Sequence, residues 1–291
     1  MQESTVFEAH NSYVIGLLFS HDGRTLISSG MDNVVKLWSV PDWQLTATFK
    51  GHTKSANSLS LSADGETLAT GSTDATVRLW SFPDGELLHT LQDRKRTVAA
   101  VEISPNGAWV AAGSSGGRAA IWTLAGEEVA GIRARKKNLG SIAFSPDSRL
   151  LATSGLGDDI DLWSLPSGER VATLRGHSTA VGSLNFIDSG RYLVSLGYEQ
   201  SIKFWDTTTW QAARTVQGKA GGARGLALSP DERLAALSSE GKIEFWSVQD
   251  WALEAELDIG AKALYGIAFS PDGRWMAVGA ADRKIRIWDL A

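Results

Sequence analysis

A histidine, a hydroxyl residue and a carboxylate are the side chains of nucleophilic hydrolysis, in which the hydroxyl attacks, the histidine takes its proton and the acid orients the ring. This chain carries such a set near its start, His10, Ser28 and Asp32 with Trp38, and a second one in His52, Thr70 and Asp74 with Trp80. A third, His177, Ser195 and Trp205, has Glu199 in the acid position. A catalytic centre is needed once, beside a pocket and an oxyanion site. These sets instead recur at one spacing, with 28 residues from histidine to tryptophan each time. A structural role for all twelve residues is therefore expected, and no catalytic residue is assigned.

The other chemistry-bearing residues do not converge. His10, His21, His52, His89 and His177 show no metal-ligand spacing, and the chain has no cysteine to assist them, so neither metal nor cofactor is expected. The glycine-rich stretches 113–117 and 218–222 lack the following Gly-Lys-Ser/Thr of a phosphate loop. Asp158, Asp159 and Asp161 offer oxygen ligands for a hard cation. Asp159 and Asp161 alternate on entering a strand, however, and a solvated turn is the expectation.

The elements that position these sets follow from the tryptophans. Trp38, Trp80, Trp122, Trp163, Trp205, Trp246 and Trp288 recur every 41 or 42 residues, and each closes a short β-type run such as VKLW, IKFW or IRIW. Turns rich in Pro, Asp, Ser and Gly divide each unit into four runs of about five residues, a usual strand length. A period of 40 to 45 residues holding four strands reads as one propeller blade. Trp43, Trp210 and Trp251 stand at the turn between third and fourth strands and read as turn packing.

In these repeats the chain resembles the WD-repeat family of β-propellers. The family's Gly-His appears as Gly51-His52 and Gly176-His177, with Ala9-His10 as a variant, and its Trp-Asp as Trp205-Asp206 and Trp288-Asp289. The resemblance implies an all-β, seven-bladed propeller with four antiparallel strands per blade. It also implies that each His, Ser/Thr, Trp and acid form a hydrogen-bonded network, stabilising only when every member is paired. Elsewhere the set thins: Arg94, Ala112 and Gly116; Arg135, Thr153 and Gly157; Lys219, Ala236 and Glu240; Gly260 and Val278 beside Asp282. The first two blades are accordingly expected to be the most stable.

One domain over 1–291 is expected, with blades at 10–51, 52–93, 94–134, 135–176, 177–218, 219–259 and 260–291 plus 1–9. The last unit lacks a fourth strand of its own, and Thr5 to Ala9 precedes His10 as Thr48 to Gly51 precedes His52. The N-terminal segment is therefore expected to supply the outer strand of the last blade, leaving no open edge.

Net charge is −5 with a pI near 5.6, which argues against a nucleic-acid partner. No apolar run approaches the length of a membrane span and no signal peptide is visible; a cytoplasmic location is expected. Family resemblance places the docking face at the loops between fourth and first, and second and third, strands. In that register Tyr13, Ile15, Met31, Asn57, Leu156, Tyr198, Arg224 and Tyr265 are expected to meet a partner, several being residue types enriched at binding hot spots. Basic runs, Arg94-Lys95-Arg96 and Arg133, Arg135, Lys136 and Lys137, replace Gly-His in the third and fourth units and suit an anionic contact such as an acidic peptide. A solvated loop face suits them equally.

The reading that combines these features is a non-enzymatic scaffold binding a protein or peptide on one face, as a monomer or as a subunit of a hetero-complex. A regulatory or sensor module of a larger effector assembly is the alternative. An enzyme using the central channel is the third; among the first strands only Glu102 offers a carboxylate, and none offers a histidine.

Overall fold

The computed structural model describes residues 2–92, 96–134, 138–218, 225–231, 233–237, 241–261 and 263–291. The described residues form seven four-stranded sheets. The first holds β2 to β5 (Val14–Phe19, Thr25–Gly30, Val35–Ser39, Leu45–Phe49) and the second β6 to β9 (Ala56–Leu61, Thr67–Ser72, Thr76–Ser81, Leu87–Gln92). The third is β10 to β13 (Val98–Ile103, Trp109–Ser114, Arg118–Thr123, Glu128–Arg133) and the fourth β14 to β17 (Leu139–Phe144, Leu150–Gly155, Ile160–Ser164, Arg170–Leu174). The fifth is β18 to β21 (Val181–Ile187, Tyr192–Gly197, Ser201–Asp206, Ala212–Gln217) and the sixth β22 to β25 (Gly225–Leu228, Arg233–Leu237, Lys242–Ser247, Leu253–Asp258). The seventh joins β26 to β28 (Leu264–Phe269, Trp275–Ala280, Lys284–Asp289) to β1 (Gln2–Glu8).

β1 runs antiparallel to β28, with Gln2 opposite Asp289 and Glu8 opposite Lys284. The N-terminal segment is thus the outer strand of the last sheet, over Gln2–Glu8 rather than Thr5 to Ala9. Glu8 lies near Arg283 and Lys284, and Phe7 packs on Trp38 of the first sheet at 4.9 Å.

In six sheets the turn between first and second strands is built by one device, while the fifth uses a short 3-10 turn, Asp188–Gly190. A serine hydroxyl donates to the Asp or Asn two residues on, as in Ser20 to Asp22 at 2.6 Å, Ser104 to Asn106 at 2.7 Å and Ser270 to Asp272 at 2.5 Å. The acceptor oxygen also takes a backbone N–H, as Asp22 does from Arg24. These bonds favour the charged form, so the carboxyls of Asp22, Asp147 and Asp272 sit below their usual range.

The tryptophan positions have a backbone cause as well. In six sheets the pairing of third with fourth strand shifts register at the tryptophan, as between Leu37 and Trp38 or Phe204 and Trp205. Such a bulge bends the strand and re-aims a side chain. Each tryptophan is buried, and Trp38, Trp80, Trp163 and Trp205 donate their indole N–H to Ser28, Thr70, Thr153 and Ser195 at 2.8 to 2.9 Å.

The chain divides into two compact units. Met1–Asn57 with Gly218–Ala291 carries the first, sixth and seventh sheets; Ser58–Gln217 carries the third to fifth and most of the second. Within each unit the core lies between neighbouring sheets. Val14, Leu26 and Trp38 meet Ala277, Ile285 and Ile287 in one, while Val77 and Leu79 meet Val98, Val101 and Val110 in the other. Fully burying such a side chain contributes roughly 1.5–3 kcal/mol. Trp43 is buried in this packing, edge-on to Trp275 at 5.4 Å, so its turn role includes a contact between sheets.

Candidate functional site

One backbone bond places the loop residues in five of the sheets. The residue after the second strand donates its N–H to the carbonyl just before the first: Met31 to Tyr13, Ser115 to Thr97, Leu156 to Asn138, Tyr198 to Ala180 and Ala281 to Ala263, at 2.9 to 3.1 Å. Met31, Leu156 and Tyr198 therefore hold equivalent positions, and their side chains are 43%, 64% and 46% exposed. Every other large exposed apolar side chain among the described residues, apart from Tyr13, lies on an outer strand, as Val6, Leu45, Leu87 and Val171 do.

In the unit that contains the first and seventh sheets, Tyr13 stacks on Tyr265 with ring centroids 5.8 Å apart and planes 20° from parallel. Tyr13 is 40% exposed, whereas Tyr265 is part-buried. Ile15 and Asn57 are also part-buried, and Ser55 donates to the Asn57 side-chain oxygen. Leu156 and Tyr198 belong to the other unit. Arg224, Arg94, Lys95, Arg135, Lys136 and Lys137 lie outside the described residues, which leaves the exposed Arg96 and Arg133 of the basic runs.

Beneath the loops are the polar networks. In the first sheet His10 Nδ1 meets Asp32 at 2.8 Å and Nε2 meets Ser28 at 2.8 Å, while Asp32 accepts the backbone N–H of Asn11. Burial raises the Asp32 carboxyl, but His10 and Asn11 outweigh it and the carboxyl stays below its usual range. A Cβ at Gly30 would stand 2.6 Å from both Asp32 and His10, so the network needs glycine there.

The fifth sheet repeats this with a longer acid. His177 bonds Ser195 at 2.6 Å and Glu199, and Glu199 also accepts from Thr179 and from Ser201 at 2.6 Å. Burial opposes its charge, yet the three side-chain donors hold its carboxyl down at about 2. The thinning of the network after the second sheet therefore does not include the fifth. In the second sheet Trp80 donates to Thr70, His52 is buried, and Asp74 accepts from the Thr76 N–H and hydroxyl.

The seventh sheet has Gly260 in place of histidine, and Arg286 grips Asp282 through two guanidinium nitrogens, at 3.2 and 2.5 Å. Sequence reading missed this partner; the signal is a cation two residues before the tryptophan, where Lys36 stands in the first sheet. In the sixth, the Trp246 indole N–H has no partner among the described residues, in keeping with Ala236 at the hydroxyl position.

Asp161 is not the solvated turn residue expected. It is buried, accepts from the Thr173 hydroxyl at 2.7 Å and faces Arg170 at 3.9 Å, while Asp159 faces Arg175 at 3.8 Å. Among the described residues no cluster of three or more His, Asp or Glu is arranged to hold a metal. No helix there is long and apolar enough to cross a membrane.

The repeat pattern, the four-stranded sheets and the buried tryptophan–hydroxyl pairs define a WD-type β-propeller. The family model described as "WD domain, G-beta repeat" matches residues 1–39, 43–81, 85–123, 126–164, 168–206 and 257–289, and the chain belongs to that family. The matched stretches leave out 207–256, which holds β21 and all but the last two residues of the sixth sheet. Over 40 residues, about one repeat, the chain is 40% identical to the DDB1- and CUL4-associated factor 13 of Dictyostelium discoideum. That stretch covers 14% of this chain and only 9% of the relative's length.

Proposed function

We propose that the seven sheets are the seven blades of one propeller and that it acts as a non-enzymatic scaffold, binding a partner peptide or domain through its loops. The observation that carries this reading is the Tyr13–Tyr265 stack beside Met31. Outer-strand residues leave apolar surface scattered, whereas here aromatic and flexible apolar side chains are held at loop ends by backbone bonds. Rigid aromatics and adaptable methionine are the residue types that anchor interfaces. Ile15 and Asn57 extend this surface, Leu156 and Tyr198 hold the place of Met31 on other repeats, and the sequence register alone adds Arg224.

A second reading, a subunit of a larger regulatory assembly, draws support from the relative's name, which describes an associated factor of other proteins. The match covers one repeat, so it favours a hetero-complex without choosing a partner. An anionic partner for Arg96, Arg133 and the neighbouring cations of those runs, and a cytoplasmic location, remain parts of the proposal.

Replacing both Tyr13 and Tyr265 by alanine is expected to weaken capture of the native partner by roughly 2 kcal/mol, about thirtyfold in Kd. The fold should be kept, because one ring is exposed and the other part-buried. Wild-type affinity in the double variant moves the site elsewhere, and an unfolded variant makes the pair a core element.

A further inference from the structure

Inner strands of neighbouring sheets in the Ser58–Gln217 unit are tied by side chains reaching across to backbone. Ser58 accepts the Val101 N–H at 3.0 Å, Ser60 accepts that of Ile103 at 2.9 Å, and Ser141 accepts that of Leu184 at 3.1 Å. The fourth such tie is Glu102, whose Oε2 accepts the Phe144 N–H at 3.1 Å and so joins β10 to β14. Where the equivalent position of the second sheet has the neutral Ser60, the third has an acid.

Among the described residues that acid has no counter-ion at hand. The strands packed against β10 are β7, β11 and β14, with β6 bonded through its serines, and none carries an ionisable side chain. One more strand, β8, touches β10 and bears a single charge, Arg78, whose guanidinium lies over the Trp80 ring at 5.7 Å. A carboxylate in such a wall has one backbone donor and no cation, and a low-dielectric surrounding disfavours its charged form. A neutral carboxylic acid accepts the same N–H through its carbonyl oxygen without that cost.

We propose that Glu102 is a protonation switch on the seam between the third and fourth sheets: neutral, it ties β10 to β14 without a charge, and ionised, it leaves an uncompensated charge in the seam, so that opening, which hydrates the carboxylate and frees the Phe144 N–H, becomes easier. Burial pushes its carboxyl up to about 8, with the Phe144 bond opposing only in part. The folded form therefore holds a proton that the unfolded chain, with its ordinary glutamate, gives up near 4.5. The sign follows: this group's contribution to stability is fully present below about 4.5 and is lost as pH rises through about 8. Neutral solution lies within that window. The tightness of this seam therefore answers to pH as it rises past neutrality.

The test uses the full chain. Amide exchange at Phe144 is measured from pH 6.5 to 9.5 in the wild type and in Glu102→Gln, which keeps an acceptor for the N–H and cannot ionise. Their ratio removes the intrinsic base catalysis of exchange. The wild-type to variant ratio is expected to climb at least tenfold across pH 8, while amides of β18 show a flat ratio. Carbon-13 titration of the Glu102 carboxyl gives the second readout, with a midpoint near 8 expected. A flat Phe144 ratio overturns the switch, and so does a midpoint below 6. Should Glu102→Gln fail to fold, the carboxyl titration of the wild type decides alone.

Discussion

The first and seventh sheets hold a carboxylate at the same place in the repeat and secure it by different chemistry. Asp32 is clamped by a buried histidine and a backbone N–H, and that histidine passes the connection on to Ser28 and Trp38. Asp282 is clamped by Arg286 on the following strand and by the Lys284 N–H, and the connection leads on only to Glu3 on the outer strand. The cation two residues before the tryptophan does different work in each. Lys36 reaches the Ala9 carbonyl at 2.5 Å and lies over Trp38, whereas Arg286 turns to Asp282 and comes within 3.9 Å of Glu3. The acid is thus common to both sheets, while the depth of the network behind it differs. In the first sheet the acid supports a buried chain of polar groups; in the seventh it serves a part-exposed ion pair.

The strand that borders both sheets gives the largest expected effect. Deleting residues 1–9 removes the outer strand from the seventh sheet and Phe7 from Trp38 of the first. It also removes the Ala9 carbonyl that Lys36 reaches. Loss of the Phe7 contact and the β1 ladder is expected to cost at least about 3 kcal/mol, within the range of large aromatic truncations. For a chain of 291 residues that corresponds to a fall in Tm of about 5 °C. The bared β28 edge should also promote association, visible as early elution on size exclusion. A variant with unchanged Tm and monomeric elution would show that β1 contributes little to either sheet.

Substituting the two acids breaks the comparison directly. Asp32→Ala leaves His10 buried with its Nδ1 unpaired, and an unsatisfied buried polar group costs about 1–3 kcal/mol, so a loss of about 2 kcal/mol is expected. Asp282→Ala leaves the mostly buried Arg286 still facing Glu3, a residual partner that His10 lacks, so a smaller loss of about 1 kcal/mol is expected. Denaturant titration with equal m-values measures both. Equal losses would mean that the arginine clamp is as deeply integrated as the histidine network.

The architecture was largely legible in the sequence, and the site only in part. Tryptophans at a fixed period, alternating strand runs and Ser-x-Asp turns each follow from local rules that leave a trace in one chain. The outer strand from the N-terminus was legible too, because the last unit visibly lacks one. What escaped depends on contacts across strands and sheets. Arg286 was invisible as the partner of Asp282, since that contact depends on how β28 sits between β27 and β1 and not on local sequence. Asp161 looked like part of an exposed acidic turn, but its strand position directs it toward Thr173 and away from water. Glu102 was read as the one channel carboxyl, and nothing in β10 alone shows that its oxygen reaches Phe144. Tyr13 and Tyr265 were both expected on the docking face, but their stacking joins positions two residues apart in the repeat, Tyr265 standing where the first sheet has Ile15.

The fifth sheet sharpens the comparison with a smaller effect that depends on pH. Its network copies the first, but Glu199 is one methylene longer and gathers the hydroxyls of Thr179 and Ser201 as well as His177. Each of those donors favours the carboxylate, and together they overcome burial to hold its carboxyl at about 2, against an ordinary 4.5. A depressed folded-state value contributes stability that is present above 4.5 and is lost as pH falls through about 2. The full shift corresponds to roughly 3 kcal/mol, and solvent at the part-exposed side chain reduces this to about 2 kcal/mol. Glu199→Gln keeps the size but replaces one acceptor oxygen by an NH2 group that faces another donor. The variant is therefore expected to be less stable than the wild type by about 2 kcal/mol at pH 7, with the gap closing between pH 4.5 and 2. Urea titrations at a series of pH values measure it. A gap that stays constant down to pH 2 would assign the loss to packing alone, and the fifth sheet would then resemble the first in shape but not in electrostatics.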